Sequence, residues 1–327
     1  MDSYKNSSQN IKLPTVNNIM IRQQLLLKLQ QIPLKQYLQN LRSKIPPPTS
    51  RNLWLALCSF VALQNLIVFT NTQITGNAIT ALIVWGGALI CMEDLIEDLR
   101  PKPSLITLLI GSAILLYTLF RTSIIEGSDS FLYLLAPFSG IGLVLLVTSG
   151  RDMLRFRDSL FILSLLPIFV VTQIIFAKYI TDDLSILTAK FVLFWLDILG
   201  ITPTKLIGNT VYVNSGAVQV MHECNGFEMI MQMIITATIF MVAFPLRSRL
   251  GRLLVIVISP LLGFFINSFR IALLAIFTSF NSSQGKYLFD FFHEQAGSLI
   301  FSGIAVFIFG YIYLLVLERE LPPITNQ

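Results

Sequence analysis

Apolar residues in this chain run in long blocks rather than alternating with polar ones. Blocks at about 53–70, 76–92, 104–120, 131–149, 159–177, 226–245, 251–269 and 297–317 are each near the roughly 20 residues that cross a bilayer as a helix. A helix satisfies its own backbone hydrogen bonds in lipid. The pattern therefore predicts an all-α, polytopic membrane bundle of about eight transmembrane helices. Between the fifth and sixth blocks the pattern changes twice. Residues 184–200, "LSILTAKFVLFWLDILG", are amphipathic and carry Lys190 and Asp197. They predict an interfacial helix, with a ninth span as the alternative. Residues 209–220, "NTVYVNSGAVQV", alternate with period two around Asn-Ser-Gly. They predict a short hairpin that delivers the chain to Cys224. Residues 1–52 are polar and basic, with Ile and Leu at near-helical spacing and three prolines at 46–48. They form a separate N-terminal segment, part of it an amphipathic helix on the membrane surface. The opening lacks the basic-then-apolar pattern of a signal peptide, so none is expected. Residues 53–320 are the transmembrane domain, with its chemistry in 205–317.

Composition agrees with the blocks. The chain is 54% hydrophobic and 13% charged, against about 25% charged for a soluble domain. Polar surface on that scale cannot cover a water-soluble globule of 327 residues. The net charge of +5 is too small to indicate nucleic acid as a partner, and its distribution says more than its sum. Lys and Arg are dense before the first span, in "RDMLRFR" (151–157) and in "RSRLGR" (247–252). Such loops stay on the cytoplasmic side. With eight spans, both termini are cytoplasmic in a plasma (inner) membrane protein. The loops 71–75, 121–130, 178–225 and 270–296 then face outward. The three cysteines, Cys58, Cys91 and Cys224, lie far apart, and only two histidines are present. Neither a disulfide framework nor a metal-ligand set follows, and no cofactor is expected.

The scarce reactive groups sit at the ends of the blocks. "HECNGFEMI" (222–230) places Cys224 where the sixth block begins. A helix N-terminus presents free N–H groups and a partial positive charge, which favour a thiolate and an oxyanion. Asn225 and Gly226 continue the motif, and Gly226 leaves room for a close backbone approach. Arg270 sits in "FFINSFRIALLAIF". A guanidinium there must be paired or turned to a polar cavity, or it must snorkel to the interface. Asn267, three residues earlier, shares its helical face. His293 precedes the last block, and imidazole is the commonest general acid–base group. His222 is a rival base two residues from the thiol. Glu223 is either an orienting partner for a His or Arg or an ordinary interfacial carboxylate. In the eight-span topology Cys224, Arg270 and His293 meet at the outer face. A Cys–His pair with a cation is the parts list of acyl transfer through a thioester. A structural cysteine at a helix start, in a transporter or a non-catalytic scaffold, is the competing reading. No internal repeat supports a transporter.

The motifs resemble those of the exosortase/archaeosortase family of polytopic transpeptidases. The family pattern is a Cys-Ser-Gly-like tripeptide, an Asn-x-x-Arg-Ile motif and a downstream His. Here these fall on Cys224-Asn225-Gly226, on Asn267-Ser268-Phe269-Arg270-Ile271 and on His293, in order, within roughly 159–317. Asn225 replaces the more usual Ser or Thr. The polar N-terminal segment and the Cys motif are most like cyanobacterial members, the cyanoexosortases. The resemblance implies a cysteine transpeptidase or protease acting on C-terminal sorting signals of exported proteins. Such a signal has a Pro-Glu-Pro-type motif, a hydrophobic span and a basic tail. The implied partners are that signal, the lipid bilayer and an acceptor that the resemblance leaves open.

Overall fold

The computed structural model of the protein describes residues 50–71, 75–98, 103–125, 129–179, 181–202, 204–280 and 282–320. The amphipathic helix expected within 1–52 lies outside the described residues, which begin at 50. Residues Trp54–Gln327 form one compact unit.

Ten α-helices and three strands follow one another among the described residues. They are α1 (Ser50–Asn71), α2 (Thr75–Asp98), α3 (Leu105–Thr122), α4 (Leu135–Leu145), α5 (Arg157–Tyr179) and α6 (Thr181–Ile198). After these come β1 (Thr204–Ile207), β2 (Thr210–Val213), β3 (Gly216–Gln219), α7 (Phe227–Ala243), α8 (Arg249–Ser279), α9 (Ser283–His293) and α10 (Gln295–Glu320). Among the described residues six helical stretches are long and apolar enough to cross a membrane: Asn52–Asn71, Leu105–Thr122, Asp152–Phe176, His222–Ala243, Arg249–Ser279 and Gly297–Glu320. Six of the eight expected spans coincide with them. The other two fall on the shorter apolar stretches Ala78–Glu93 and Phe131–Leu145. The second of these is broken: it starts as a 3-10 turn, Ser130–Leu134, before α4 begins. The protein is a multi-pass, all-α membrane bundle, and among the described residues six of its helices are long and apolar enough to span.

Its outer surface suits lipid. On α3, Leu105, Ile106, Leu109, Leu116 and Phe120 are each at least 60% exposed. In water such a face would be a large apolar patch; in a bilayer it faces hydrocarbon. Inside, three buried clusters form. The first joins α1, α2, α4, α5 and α7 through Phe69, Trp85, Leu143, Phe169 and Ile239. The second packs α6 and the strands on α8 through Val192, Val211, Val213 and Ala272. The third joins α7, α8 and α10 through Met233, Val255, Phe309 and Tyr313. At Gly263 of α8 a Cβ would sit 2.8 Å from the carbonyl oxygen of Met229, so α7 and α8 pack backbone to backbone, as small residues allow in membranes. Side-chain hydrogen bonds join the helices. Trp54 Nε1 donates to the Leu143 carbonyl at 3.0 Å, and Tyr313 donates its hydroxyl to the Phe240 carbonyl at 3.1 Å. Glu320 at the end of α10 accepts from the backbone and hydroxyl of Ser248 at the start of α8.

The expected hairpin is present and larger than predicted. β2 and β3 pair antiparallel with Val211 opposite Val218, and the turn passes through Asn214 at φ 51°. β1, "TKLI", adds a third antiparallel strand with Leu206 opposite Val211. Four residues are too short a run for alternation to stand out in the sequence. Val211 and Val213 are fully buried toward α8, while Tyr212 points the other way.

Candidate active site

β3 hands the chain to a short 3-10 turn, His222–Cys224, and then to Asn225, Gly226 and α7. The turn is closed by Cys224 N–H donating to the Met221 carbonyl at 3.0 Å. Asn225 is buried, and its side-chain oxygen accepts from the N–H of Phe227 at 3.0 Å. One of the free donors at the start of α7 is thereby satisfied. Gly226 has φ +92°, a left-handed conformation that side chains rarely adopt. The room that its missing side chain leaves is taken up by Asn267. An added Cβ would lie 2.8 Å from Asn267 Nδ2. Asn267 reaches across Gly226 and donates to the Cys224 carbonyl at 3.0 Å, so its amide occupies that space. Gly226→Ala is expected to destabilise the protein by about 1–2 kcal/mol from the backbone alone and to push Asn267 off Cys224. Thermal unfolding of the detergent-solubilised variant measures this, and an unchanged midpoint would overturn it.

Arg270, three residues after Asn267 on α8, is 8% exposed. It does not snorkel. Its Nε donates to the Phe292 carbonyl at 3.0 Å and its Nη2 to the His293 carbonyl at 2.7 Å. These carbonyls end α9, where intrahelical donors run out and the helix dipole is negative. A charged fork suits that position. The result is a fixed placement of His293. Its Nε2 lies 3.8 Å from Cys224 Sγ, and its ring stacks on Phe289 with centroids 5.3 Å apart and planes at 12°. Cys224 is half-buried and His293 is exposed, so the pair opens to the surface.

Thus Cys224, Asn225, Gly226, Asn267, Arg270 and His293 come together from three separate elements. Glu223 lies within electrostatic reach of Cys224, and its side chain turns to His222. Its carboxylate lies 2.7 Å from His222 Nε2, so these two exposed side chains pair with each other. Other groups at the site were not singled out by sequence. Thr188 of α6 donates its hydroxyl to the Asn225 carbonyl at 2.8 Å, and Trp195 donates to the Ser268 hydroxyl at 3.0 Å. They sit seven residues apart, two helical turns, with Val192 between them on one face. The amphipathic pattern of 184–200 marks that face but not its partner. Glu228, in the first turn of α7, lies within electrostatic reach of both Cys224 and Arg270. An acidic residue near a helix start is too common to stand out. Among the described residues no group of three His, Cys, Asp or Glu side chains is placed to hold a metal ion.

The site occupies one end of the bundle. Arg249 opens α8 beside the basic turn, and Arg270 lies about 30 Å further along the helix at 1.5 Å per residue. That is the hydrocarbon thickness of a bilayer. A thiol beside an imidazole, with a buried guanidinium close by, is equipped for nucleophilic attack on a carbonyl and for proton transfer.

The sequence is similar to the protein named "Probable archaeosortase E" of Methanocaldococcus jannaschii, with 24% identity over 173 residues, which is 53% of this chain and 85% of that protein. No solved structure matches. The profile described as "Transmembrane exosortase" matches residues 48–310, which take in every residue of the site. By that match over most of its length, the chain belongs to the transmembrane exosortase family.

Proposed function

We propose that the protein is a membrane-embedded cysteine transpeptidase that processes C-terminal sorting signals of exported proteins. The observation that carries the reading is the approach of Cys224 Sγ to His293 Nε2, 3.8 Å across 69 residues of sequence. The Cys224 thiolate attacks the scissile carbonyl carbon, and the resulting oxyanion is held by guanidinium N–H groups of Arg270. Two of the five N–H donors of that fork are engaged by α9, which leaves donors for substrate. The C–N bond breaks as the His293 imidazolium gives its proton to the leaving amine, and a thioester remains on Cys224. His293 then takes a proton from an acceptor amine or from water. The acceptor attacks the thioester, and the thiolate returns. Asn267 holds the backbone of Cys224, and Glu228 balances the charge of Arg270.

The basic segments 151–157 and 247–252 favour a cytoplasmic placement of that end of the bundle. Both termini are then inside and the site lies at the outer face of the plasma membrane. A substrate anchored by its own apolar span, with a basic tail inside, would present its motif level with Cys224.

The test uses a tagged exported reporter ending in a Pro-Glu-Pro motif, an apolar span and a basic tail. It is co-expressed with the full chain. In His293→Ala processing is expected to fail before the thioester forms, because the group that gives its proton to the leaving amine is gone. In the wild type an acid-quenched sample should show some reporter covalently joined to the enzyme on a gel, released by hydroxylamine, and absent in both His293→Ala and Cys224→Ala. Release of product at the wild-type rate by His293→Ala, without an adduct, would remove His293 from the mechanism.

A further inference from the structure

An open cavity of about 520 Å³ lies at the junction of α8 and α9. That is within the roughly 300–1,000 Å³ typical of binding sites. Its walls include Phe277, Thr278, Phe280, Ser283, Lys286 and Phe289. Two features tie it to the Cys–His pair. Phe289 is both a wall of the cavity and the ring on which His293 stacks. Phe277 in turn stacks on Phe292, whose carbonyl accepts from Arg270. On α9 the residues Lys286, Phe289 and His293 stand at i, i+3 and i+7, so one face of the helix carries all three. Among the described residues Lys286 makes no ion pair, and it is exposed.

Resting on the transpeptidase reading above, we infer that this cavity is a specificity subsite for the substrate peptide, and that Lys286 receives a substrate carboxylate there. The three aromatic residues take apolar side chains beside that carboxylate. The helix also sets the register. Lys286 is seven residues from His293, about 10 Å along α9. An extended peptide covers that distance in about three residues at 3.3 Å each. The acidic side chain therefore lies about three residues from the scissile bond.

A charge swap tests the inference in the full chain with the reporter described above, whose motif carries one glutamate. Lys286→Glu is expected to lower its processing roughly 10-fold or more, the scale of one lost hydrogen bond to a charged group. Lys286→Arg should retain most of the rate. A reporter with that glutamate changed to lysine should be processed better by Lys286→Glu than by the wild type, an inversion that a merely structural role for Lys286 does not produce. A second measurement does not depend on cleavage. In a Cys224→Ala background, a benzoylphenylalanine photo-crosslinker replacing Phe280 should capture the acidic reporter and lose it when Lys286 becomes Glu. Crosslinking without Cys224-dependent cleavage in the wild type keeps the subsite and removes the catalytic reading. Capture of lipid instead of reporter, or capture and processing indifferent to both charges, overturns the subsite.

Discussion

Cys224→Ala is expected to abolish processing of the reporter, with a loss of about four orders of magnitude or more, the scale seen when a covalent nucleophile is removed. The reason is geometric as well as chemical. The thiol faces an imidazole at 3.8 Å, its own backbone is held by Asn267, and the turn that carries it is closed on both sides. No other thiol can substitute, since Cys58 is buried in the first core cluster and Cys91 belongs to α2 packed against it. Cys224→Ser keeps the shape but exchanges a ready thiolate for a hydroxyl, so it should be nearly as inactive. The size of the tagged reporter on a gel gives the answer directly. Equal processing with and without Cys224 would make the cluster structural and move a transporter or scaffold ahead.

Arg270 has the second largest expected effect, and the informative variant is the conservative one. Arg270→Lys keeps a positive charge, yet a lysine is a single flexible point charge and cannot reproduce the fork that meets the Phe292 and His293 carbonyls together. One carbonyl loses its partner, and the placement of His293 relaxes. A shift of about 1 Å in a catalytic group costs on the order of 100-fold in rate. Processing by Arg270→Lys should fall by at least that much, while its thermal unfolding midpoint moves little. Arg270→Ala should fall further in both, because it removes two hydrogen bonds from a charged group, at about 1.5–3 kcal/mol each, and the charge opposite Glu228. Full activity in Arg270→Lys would mean that the fork does not position His293.

The membrane character of the chain is written in one dimension. Whether an apolar run is long enough to cross a bilayer depends on its own residues alone, so six of the spans can be read directly from the sequence. The period-two run before Cys224 is equally local, and it becomes β2 and β3. The chemistry-bearing residues, Cys224, Asn267, Arg270 and His293, are also readable, because reactive or charged side chains in apolar surroundings are conspicuous. Their partners are not. That Arg270 clamps the end of α9 depends on carbonyls 22 and 23 residues downstream. Glu223 turning to His222, Asn267 filling the space over Gly226, and α6 supporting Asn225 and Ser268 all depend on how helices are rotated and packed against one another. Burial pattern sets which face of a helix is apolar, but which neighbour meets that face is decided by the packing of the whole bundle. The cavity beside Phe289 exists only because α9 turns back on the end of α8, and no stretch of either helix encodes that fold-back by itself.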